Sequence, residues 1–333
     1  MGGSSWSDDF YKDREDHRAR TGAKAFAYDH HVKTDPKAKR VVHDKLDPKG
    51  KTRESRDSDA HPSSVAIGVI FDVTGSMGGI PLVLQKKLPQ LMGLLLRKGY
   101  VDDPQILFGA VGDFFADKAP LQIGQFESGI EMDDDLGRLL LEGGGGGTYE
   151  ESYQNALYYF ARHTSIDCFE KRGKKGFLFL IGDEMPYPRS TKAEIAKLIG
   201  DDLTADVPLE TIVAEAREKY HVFFVIPRGA SHGADPKLHD RWAGLLGPQN
   251  VLMLDEPDGV CEAIGLAIGL CEGTATDDAI ADDLASTGAD AKTIAAVSAA
   301  LEPLAKATRL ARVDGGGRLA SKGHGRSTAI ERL

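Results

Sequence analysis

The chain has 333 residues, of which 41% are hydrophobic and 28% charged, so it holds enough apolar material for a large core and a smaller second one. The formal net charge is −10, and the acidic residues are spread along the whole chain. The basic stripe that phosphate backbones select is therefore excluded, and no nucleic-acid partner is predicted.

The sequence carries no recognisable signal for export or for membrane insertion. Residues 1–10 lack a basic head followed by an apolar run, and no later segment approaches the ~20 apolar residues that span a bilayer. The cysteines Cys168, Cys261 and Cys271 are odd in number, widely spaced and without a CxxC pair, which favours reduced thiols over disulfides or a zinc site. We therefore expect a cytoplasmic protein without membrane contact.

Residues 1–62 are predicted to form a charged arm. They mix acidic, basic and histidine residues with few aliphatic ones, and they show no sustained apolar period. The arm is expected either to be disordered or to order by lying on the domain or on a neighbouring subunit, which leaves self-association open. The isolated aromatic residues that are candidate anchors for the ordered arrangement are Trp6, Phe10, Tyr11, Phe26 and Tyr28.

Residues 63–273 are predicted to fold as an α/β domain. Continuous apolar runs rich in β-branched and aromatic residues indicate strands at 65–71, 106–111, 177–181 and 222–226, with shorter strands at 121–126 and 251–254. Helical apolar stripes alternate with these runs at 81–95, with a kink at Pro89, and at 153–160, 209–220 and 260–270. This alternation predicts a doubly wound, mostly parallel sheet with helices on both faces, a Rossmann-like architecture.

The composition changes after residue 273. Ala- and Asp-rich stretches around 279–284 and 293–304 predict a small helical appendage over residues 274–312. Residues 313–333 are rich in Gly and basic residues, and they are predicted to form a mobile tail.

Polar residues follow two of the predicted buried strands, where ligands bind in sheets of this type. Asp72, Thr74 and Ser76 place a carboxylate and two hydroxyls at alternate positions in the loop after the first strand. Thr148 follows a Gly run, and Asp183 follows the strand at 177–181. Oxygen ligands of this kind suit a hard cation such as Mg²⁺, which proteins usually hold with only one or two carboxylates.

This pattern resembles the metal-ion-dependent adhesion site of the von Willebrand factor A family, written D-x-[ST]-x-S, then a distant Thr, then a distant Asp. The likeness spans roughly residues 64–272 in the right order. It implies a bound Mg²⁺, with Mn²⁺ or Ca²⁺ as alternatives, and it implies that the short strand near Leu121 is an antiparallel sheet edge. The metal ligands that the resemblance implies are Asp72, Thr74, Ser76, Thr148 and Asp183.

The resemblance implies recognition without catalysis. In this family a coordination position left to water is taken by a carboxylate from a protein partner, so we expect a metal-dependent protein–protein interaction module and no enzyme activity. Many cytoplasmic bacterial members of the family work beside MoxR-like AAA+ ATPases, which makes such an ATPase a candidate partner.

Two features depart from the family pattern. Asp183 is followed by Glu184 where the family usually has Gly, so Glu184 is a candidate extra ligand or hydrogen-bond acceptor behind the ligands. The Gly run is also longer than usual, which leaves the position of Thr148 open.

One further acidic residue and four histidines are also considered as parts of a site. Asp113, after the strand at 106–111, lies on the same rim and either orients a coordinated water or hydroxyl or is a solvated strand end. The histidines without ligand spacing, which we interpret as surface residues, are His30, His31, His232 and His239.

Two other functions stay open. Asp72-Val-Thr-Gly-Ser76 also resembles the D-x-[DT]-G-[TS] motif of haloacid dehalogenase-like phosphohydrolases, in which Asp72 would be the nucleophile. The acid spacing after Asp183 and the Thr148 segment do not fit that class. A structural module with an empty site is the second alternative. A dinucleotide site is excluded, because the Gly run follows no buried strand and lacks GxGxxG spacing.

Overall fold

The computed structural model describes residues 5–144 and 148–319. The strands, in chain order, are β1 (Arg53–Ser55), β2 (Ser64–Asp72), β3 (Asp103–Val111), β4 (Leu121–Ile123), β5 (Glu150–Glu151), β6 (Thr164–Ile166), β7 (Gly176–Ile181), β8 (Met185–Pro186), β9 (Arg189–Ser190), β10 (Val207–Pro208), β11 (Tyr220–Pro227) and β12 (Val251–Leu254). The α-helices are α1 (Asp8–Thr21), α2 (Ala27–Thr34), α3 (Ile80–Lys86), α4 (Leu88–Met92), α5 (Glu131–Gly137), α6 (Tyr153–Arg162), α7 (Asp167–Glu170), α8 (Lys192–Leu198), α9 (Leu209–Lys219), α10 (Pro236–Leu246), α11 (Val260–Glu272), α12 (Ile280–Ser286) and α13 (Ala291–Leu319).

The largest sheet in the described residues has the strand order β12-β11-β7-β2-β3-β4. Neighbouring strands run parallel, except that β4 runs antiparallel to β3 at the sheet edge. All nine residues of β2 are buried, as a strand covered on both faces requires. The predicted α/β class and the mostly parallel sheet are thus confirmed, and the predicted antiparallel edge is β4.

Different helices cover the two faces of this sheet. Along β2, Ile67 and Val69 face one hydrophobic cluster, whereas Ala66 and Ile70 face the other, which follows from the two-residue period of a strand. Residues of α3, α4, α11 and α13 pack in the first cluster, and residues of α6, α9 and α10 pack in the second. Each large aliphatic side chain fully buried in these layers contributes roughly 1.5–3 kcal/mol.

The kink predicted at Pro89 appears as a break between α3 and α4. Pro89 has no amide proton to donate to the carbonyl of Gln85, four residues earlier. That carbonyl accepts the hydroxyl of Tyr11, from the N-terminal arm, at 2.5 Å. The proline therefore leaves free an acceptor that the arm uses.

The described part of the arm, residues 5–62, lies against the α/β domain. Tyr11, Phe26 and Leu46 are buried in the same hydrophobic cluster as the residues of β2. Phe10, a candidate anchor, is instead 64% exposed, so that expectation was wrong. The strand β1 pairs in parallel with β6, which adds backbone hydrogen bonds between the arm and the domain. Self-association through the arm stays a prediction.

Two helices follow the sheet and pack beside α11. Val297 and Leu301 of α13 are fully buried, which explains the apolar stripe of the predicted appendage. The helix is longer than predicted, because the backbone of residues 313–319, which we assigned to a mobile tail, continues α13. The rest of the predicted tail, residues 320–333, lies outside the described residues. None of the described helices has the length and apolar character needed to cross a bilayer.

Candidate metal centre

Four of the five predicted ligands lie at the carboxyl ends of two adjacent strands in the middle of the sheet. Asp72 ends β2, and Thr74 and Ser76 lie in the turn that follows. Asp183 follows β7, which pairs with β2. The chain leaves β2 toward β3 and β4 and leaves β7 toward β11 and β12, so the strand order reverses here. A crevice for a ligand is expected at such a reversal.

A continuous chain of hydrogen bonds joins these four side chains. Thr74 donates to Oδ1 of Asp72 from its amide at 2.7 Å and from its hydroxyl at 2.6 Å. The hydroxyl oxygens of Thr74 and Ser76 are 3.1 Å apart, and the Ser76 hydroxyl donates to Oδ1 of Asp183 at 2.8 Å. Oxygen atoms from distant segments of the chain are thus gathered in one place.

Tyr153 holds the second oxygen of Asp72. Its hydroxyl donates to Oδ2 at 3.0 Å, and its ring is fully buried with edge contacts to Phe224 and Trp242. The hydroxyl has room because Gly182 has no side chain: a Cβ at that position would lie 1.9 Å from it. In the sequence, Tyr153 was recognisable only as a member of an apolar helical stripe.

His232, which we interpreted as a surface residue, lies beside the site. Its main-chain amide donates to Oδ2 of Asp183 at 2.8 Å. Its ring Nδ1 lies 3.7 Å from the same oxygen and 3.6 Å from Oε1 of Glu184, which is beyond hydrogen-bond distance. The ring also contacts that of Tyr149, with a centroid distance of 4.6 Å. His232 therefore borders the acidic groups with a partly exposed imidazole.

Thr148 is the predicted ligand that lies outside the hydrogen-bonded chain. The residue is exposed, and its hydroxyl donates to the carbonyl of Glu150 at 3.3 Å. Among the described contacts, no hydrogen bond joins Thr148 to the other four predicted ligands.

The start of the Gly run crosses over the loop that carries Thr74 and Ser76. The amide of Gly75 donates to the carbonyl of Gly144 at 2.6 Å, and the amide of Gly143 donates to the carbonyl of Val73 at 3.1 Å. Gly143 takes a φ of +63°, which favours glycine. The segment that leads to Thr148 is therefore tied to the motif loop at its start, and residues 145–147 lie outside the described part of the chain.

Two glutamates complete the acidic cluster, and the sequence had suggested only Glu184. Glu151 belongs to β5 and Glu184 directly precedes β8, and these short strands pair in parallel. Both glutamates are buried, and the Oε2 atom of each has no hydrogen-bond partner. One oxygen of each lies within 4.8 Å of an oxygen of Asp72. The only signal for Glu151 in the sequence is an acidic pair between the Gly run and the next helix.

Burial raises the pKa values of these acids. It raises the pKa of Asp72 to about 7, although the hydrogen bonds from Thr74 oppose the rise and the charge of Glu184 adds to it. Burial, together with the charge of Asp72, raises the pKa of Glu151, and burial is also the main cause that raises the pKa of Glu184. Within the described residues, His232 is the basic side chain that lies within 4.0 Å of Asp183 and Glu184. The cluster therefore has little positive charge to stabilise its ionised form.

The donor set fits a hard divalent cation. Adjacent ligands of an octahedral Mg²⁺, each at about 2.1 Å, lie roughly 3 Å apart. The oxygen–oxygen distances along the hydrogen-bonded chain, 2.6, 3.1 and 2.8 Å, are of this size. A cation would also supply the positive charge that the buried carboxylates lack, and it would satisfy buried oxygens that accept no hydrogen bond.

Asp113 lies on the rim of the same crevice, just after β3. It is 1% exposed, so the interpretation as a solvated strand end was wrong. Its Oδ1 accepts the amide of Phe115 at 3.0 Å and the hydroxyl of Tyr187 at 3.2 Å. Phe115 is 67% exposed and contacts Tyr187 edge-on at a centroid distance of 5.4 Å. An exposed aromatic ring thus lies beside Tyr187 and Asp113.

No family model matches this chain, and no curated protein matches it. Two crystal structures of the pilus adhesin SpaC from Lactobacillus rhamnosus GG resemble 67% of the chain, with 11% and 12% identity and TM-scores of 0.44 and 0.45. Proximal thread matrix protein 1 from the mussel byssus resembles 62% of it, with 12% identity and a TM-score of 0.36. The matches cover only 31% and 32% of the adhesin chains and 47% of the mussel protein. Likeness at this level assigns no function.

Proposed function

We propose that this chain is a metal-dependent protein-interaction module of the von Willebrand factor A type, which binds one Mg²⁺ at the carboxyl ends of β2 and β7. The observation that carries the proposal is the hydrogen-bonded chain from Asp72 to Asp183, which gathers two carboxylates and two hydroxyls from distant segments at spacings that ligands of one cation can adopt. The ligands in this proposal are Asp72, Thr74, Ser76, Thr148 and Asp183.

Thr148 is the ligand that has to move when the ion binds. It is exposed, and the contact that it makes with the Glu150 carbonyl is a long hydrogen bond of 3.3 Å. Losing a single exposed hydrogen bond costs little, because water replaces it. When Thr148 coordinates the ion, its segment therefore moves, and cation binding changes the rim of the crevice, where a partner would dock.

The ion is the recognition element. Coordination positions that the protein leaves to water face the crevice, and an acidic side chain of a partner takes one of them. The chain has a net charge of −10, so long-range attraction does not recruit an acid, and the local field of the ion has to do so. A MoxR-like AAA+ ATPase is the candidate partner that the family resemblance implies. Recovery of the same partner in EDTA as in Mg²⁺ would contradict this step.

The contacts of Asp72 support binding over phosphoryl transfer. Its Oδ1 accepts two hydrogen bonds from Thr74, and its Oδ2 accepts one from Tyr153. Within the described residues, neither Asp72 nor Asp183 forms an ion pair with a Lys, and the ion-pair contact of Asp183 is with His232. An aspartyl-phosphate adduct on Asp72, trapped and detected by mass spectrometry, would overturn the assignment as a non-enzyme.

Titration calorimetry with Mg²⁺ and Mn²⁺ tests the cation site. We expect Ser76→Ala to weaken binding by roughly tenfold or more, because it removes the hydroxyl that contacts both Thr74 and Asp183. Ser63→Ala, which changes an exposed serine before β2, is the matched control and should bind like the wild type. Equal affinity in the Ser76 variant would refute the site, and no binding by the wild type would leave a structural module with an empty site.

A further inference from the structure

The proposed cation lies among more buried carboxylates than one divalent ion neutralises. Asp72 and Asp183 are fully buried, and Glu151 and Glu184 are 2% and 6% exposed. Fully ionised, they carry four negative charges, of which one Mg²⁺ offsets two. The remaining charge is compensated either by protons, as the raised pKa values of Asp72, Glu151 and Glu184 indicate for the metal-free chain, or by a second cation, because leaving it buried without compensation is strongly unfavourable. The imidazole of His232 compensates little, because its side chain is 41% exposed and lies on one side of the cluster.

Three of these acids present oxygens to a common point. One carboxylate oxygen each from Asp72, Glu151 and Glu184 lie within 4.8 Å of one another. Ligands at about 2.4 Å on opposite sides of a Ca²⁺ ion lie about 4.8 Å apart, so the three atoms have the spread of ligands around one cation. None of these acids is more than 6% exposed, so bulk water does not separate them.

Two oxygens in this group are unsatisfied. Oε2 of Glu151 and Oε2 of Glu184 are buried, and neither has a hydrogen-bond partner. Buried polar atoms in folded proteins are nearly always paired, so two such atoms in one acidic cluster point to a missing partner, which is a proton shared by the two glutamates in the metal-free chain or a cation that replaces it. This observation is independent of the charge count.

The local fold holds the two glutamates in place. Glu151 lies opposite Pro186 in the β5–β8 pair. The carbonyl of Glu184 accepts the indole Nε1–H of Trp242 at 3.2 Å, and the Trp242 ring is fully buried and stacked on Phe224 at 3.8 Å. These contacts fix the backbone at both glutamates, and both side chains are buried beside Asp72.

We propose that Asp72, Glu151 and Glu184 bind a second divalent cation next to the first, with Asp72 bordering both ions. The inference rests on the proposed function, because Asp72 is also a ligand of the first ion. Two divalent ions offset all four carboxylate charges. Asp183, Glu184 and His232 form an alternative group of possible ligands. An ion there would leave Glu151 uncompensated, so the geometry favours the first group.

Equilibrium dialysis with Mn²⁺ counts the ions, and electron paramagnetic resonance reports how close they are. The wild type should bind two Mn²⁺ per chain, and spin coupling between them should replace the spectrum of isolated Mn²⁺ at full loading. Glu151→Gln keeps the size of the side chain, and it should bind a single Mn²⁺ with the spectrum of an isolated ion. His232→Ala is the control and should keep both coupled ions.

Ser76→Ala separates the two sites, because Ser76 contacts only residues of the first. It should weaken binding of the first ion by roughly tenfold or more and leave the affinity for the ion held by Glu151 unchanged. A wild type that binds one ion, with unchanged affinity in Glu151→Gln, would refute the second site and leave the proposed function standing. A wild type that binds none would refute both. If circular dichroism shows that Glu151→Gln is unfolded, the electron paramagnetic resonance spectrum of the wild type provides the test. Two bound Mn²⁺ ions without spin coupling would then overturn the inference. Loss of an ion in His232→Ala but not in Glu151→Gln would also overturn it.

Discussion

Replacing Asp72 with asparagine should stabilise the metal-free protein at neutral and alkaline pH. The amide has the shape of the carboxylate, its oxygen can still accept the two hydrogen bonds from Thr74, and its nitrogen can donate to the Tyr153 hydroxyl. What the substitution removes is the cost of ionising a fully buried group. The expected effect therefore has a definite sign and a definite pH range.

The size of the stability difference between Asp72→Asn and the wild type follows from the pKa of Asp72. Burial raises that pKa from 3.8 to about 7, so between these values the folded chain holds a proton that the unfolded chain has released. The stability that this proton contributes is fully present below about pH 4 and is lost as the pH rises through about 7. A difference of about three pKa units corresponds to on the order of 4 kcal/mol, which is an upper limit because the acids of the cluster titrate together.

The assay is urea denaturation in EDTA at several values between pH 4 and pH 8. Asp72→Asn and the wild type should have similar free energies of unfolding near pH 4, and the free energy of unfolding of the variant should rise relative to that of the wild type as the pH increases, by up to a few kcal/mol. Saturating Mg²⁺ should reverse the order, because only the wild type binds the ion tightly in the folded state. Asp240→Asn, whose side chain is 81% exposed, is the matched control and should show neither effect.

A wild type that gained stability over Asp72→Asn between pH 5 and pH 8 in EDTA would refute the raised pKa of Asp72. Equal stabilisation of both proteins by Mg²⁺ would refute the role of Asp72 as a ligand, because the ion would then bind without the carboxylate that ends β2.

Two further predictions concern packing around the site and the arm. Gly182→Ala places a Cβ 1.9 Å from the Tyr153 hydroxyl, so we expect a loss of about 1–3 kcal/mol in urea denaturation and weaker Mg²⁺ binding in calorimetry. Gly244→Ala, inside α10, meets no atom within 4 Å, so it should leave Mg²⁺ binding unchanged and, as a better helix former, raise the free energy of unfolding by up to about 1 kcal/mol. Leu46→Ala in the fully buried part of the arm should cost about 2–5 kcal/mol, whereas Val41→Ala, at a residue 47% exposed, should cost little. Equal losses in the free energy of unfolding for Leu46→Ala and Val41→Ala would mean that the arm does not belong to the folded core.

The sheet and most of the proposed first site could be predicted from local patterns. A strand buried on both faces must be apolar throughout, and β2 is visible in the sequence for that reason. The carboxyl ends of parallel strands meet at one edge of a sheet, so Asp72 and Asp183 could be placed together without knowledge of any contact. The predicted break at Pro89 likewise follows from the chemistry of one residue.

Only the tertiary structure showed that the arm folds against the domain. Its first helix, α1, is strongly polar, and Tyr11 is its one buried residue. The acceptor for the Tyr11 hydroxyl is the Gln85 carbonyl, which lies in a distant helix and is free because of Pro89. A periodic pattern reports which face of an element is buried, but it carries no information about an acceptor elsewhere in the chain.

Glu151, Thr148 and His232 show the same limit at the site itself. Glu151 enters the acidic cluster because β5 pairs with β8, and strands of two residues are too short to show a period. His232 reaches the cluster because its amide binds Asp183, a contact that spacing does not encode. Thr148 matches the motif in order, yet the fold places its hydroxyl against the Glu150 carbonyl. The sequence by itself determined which strand ends carry candidate oxygen ligands. Only long-range pairing decided which further acids lie beside them, because that depends on contacts between segments without a local signal.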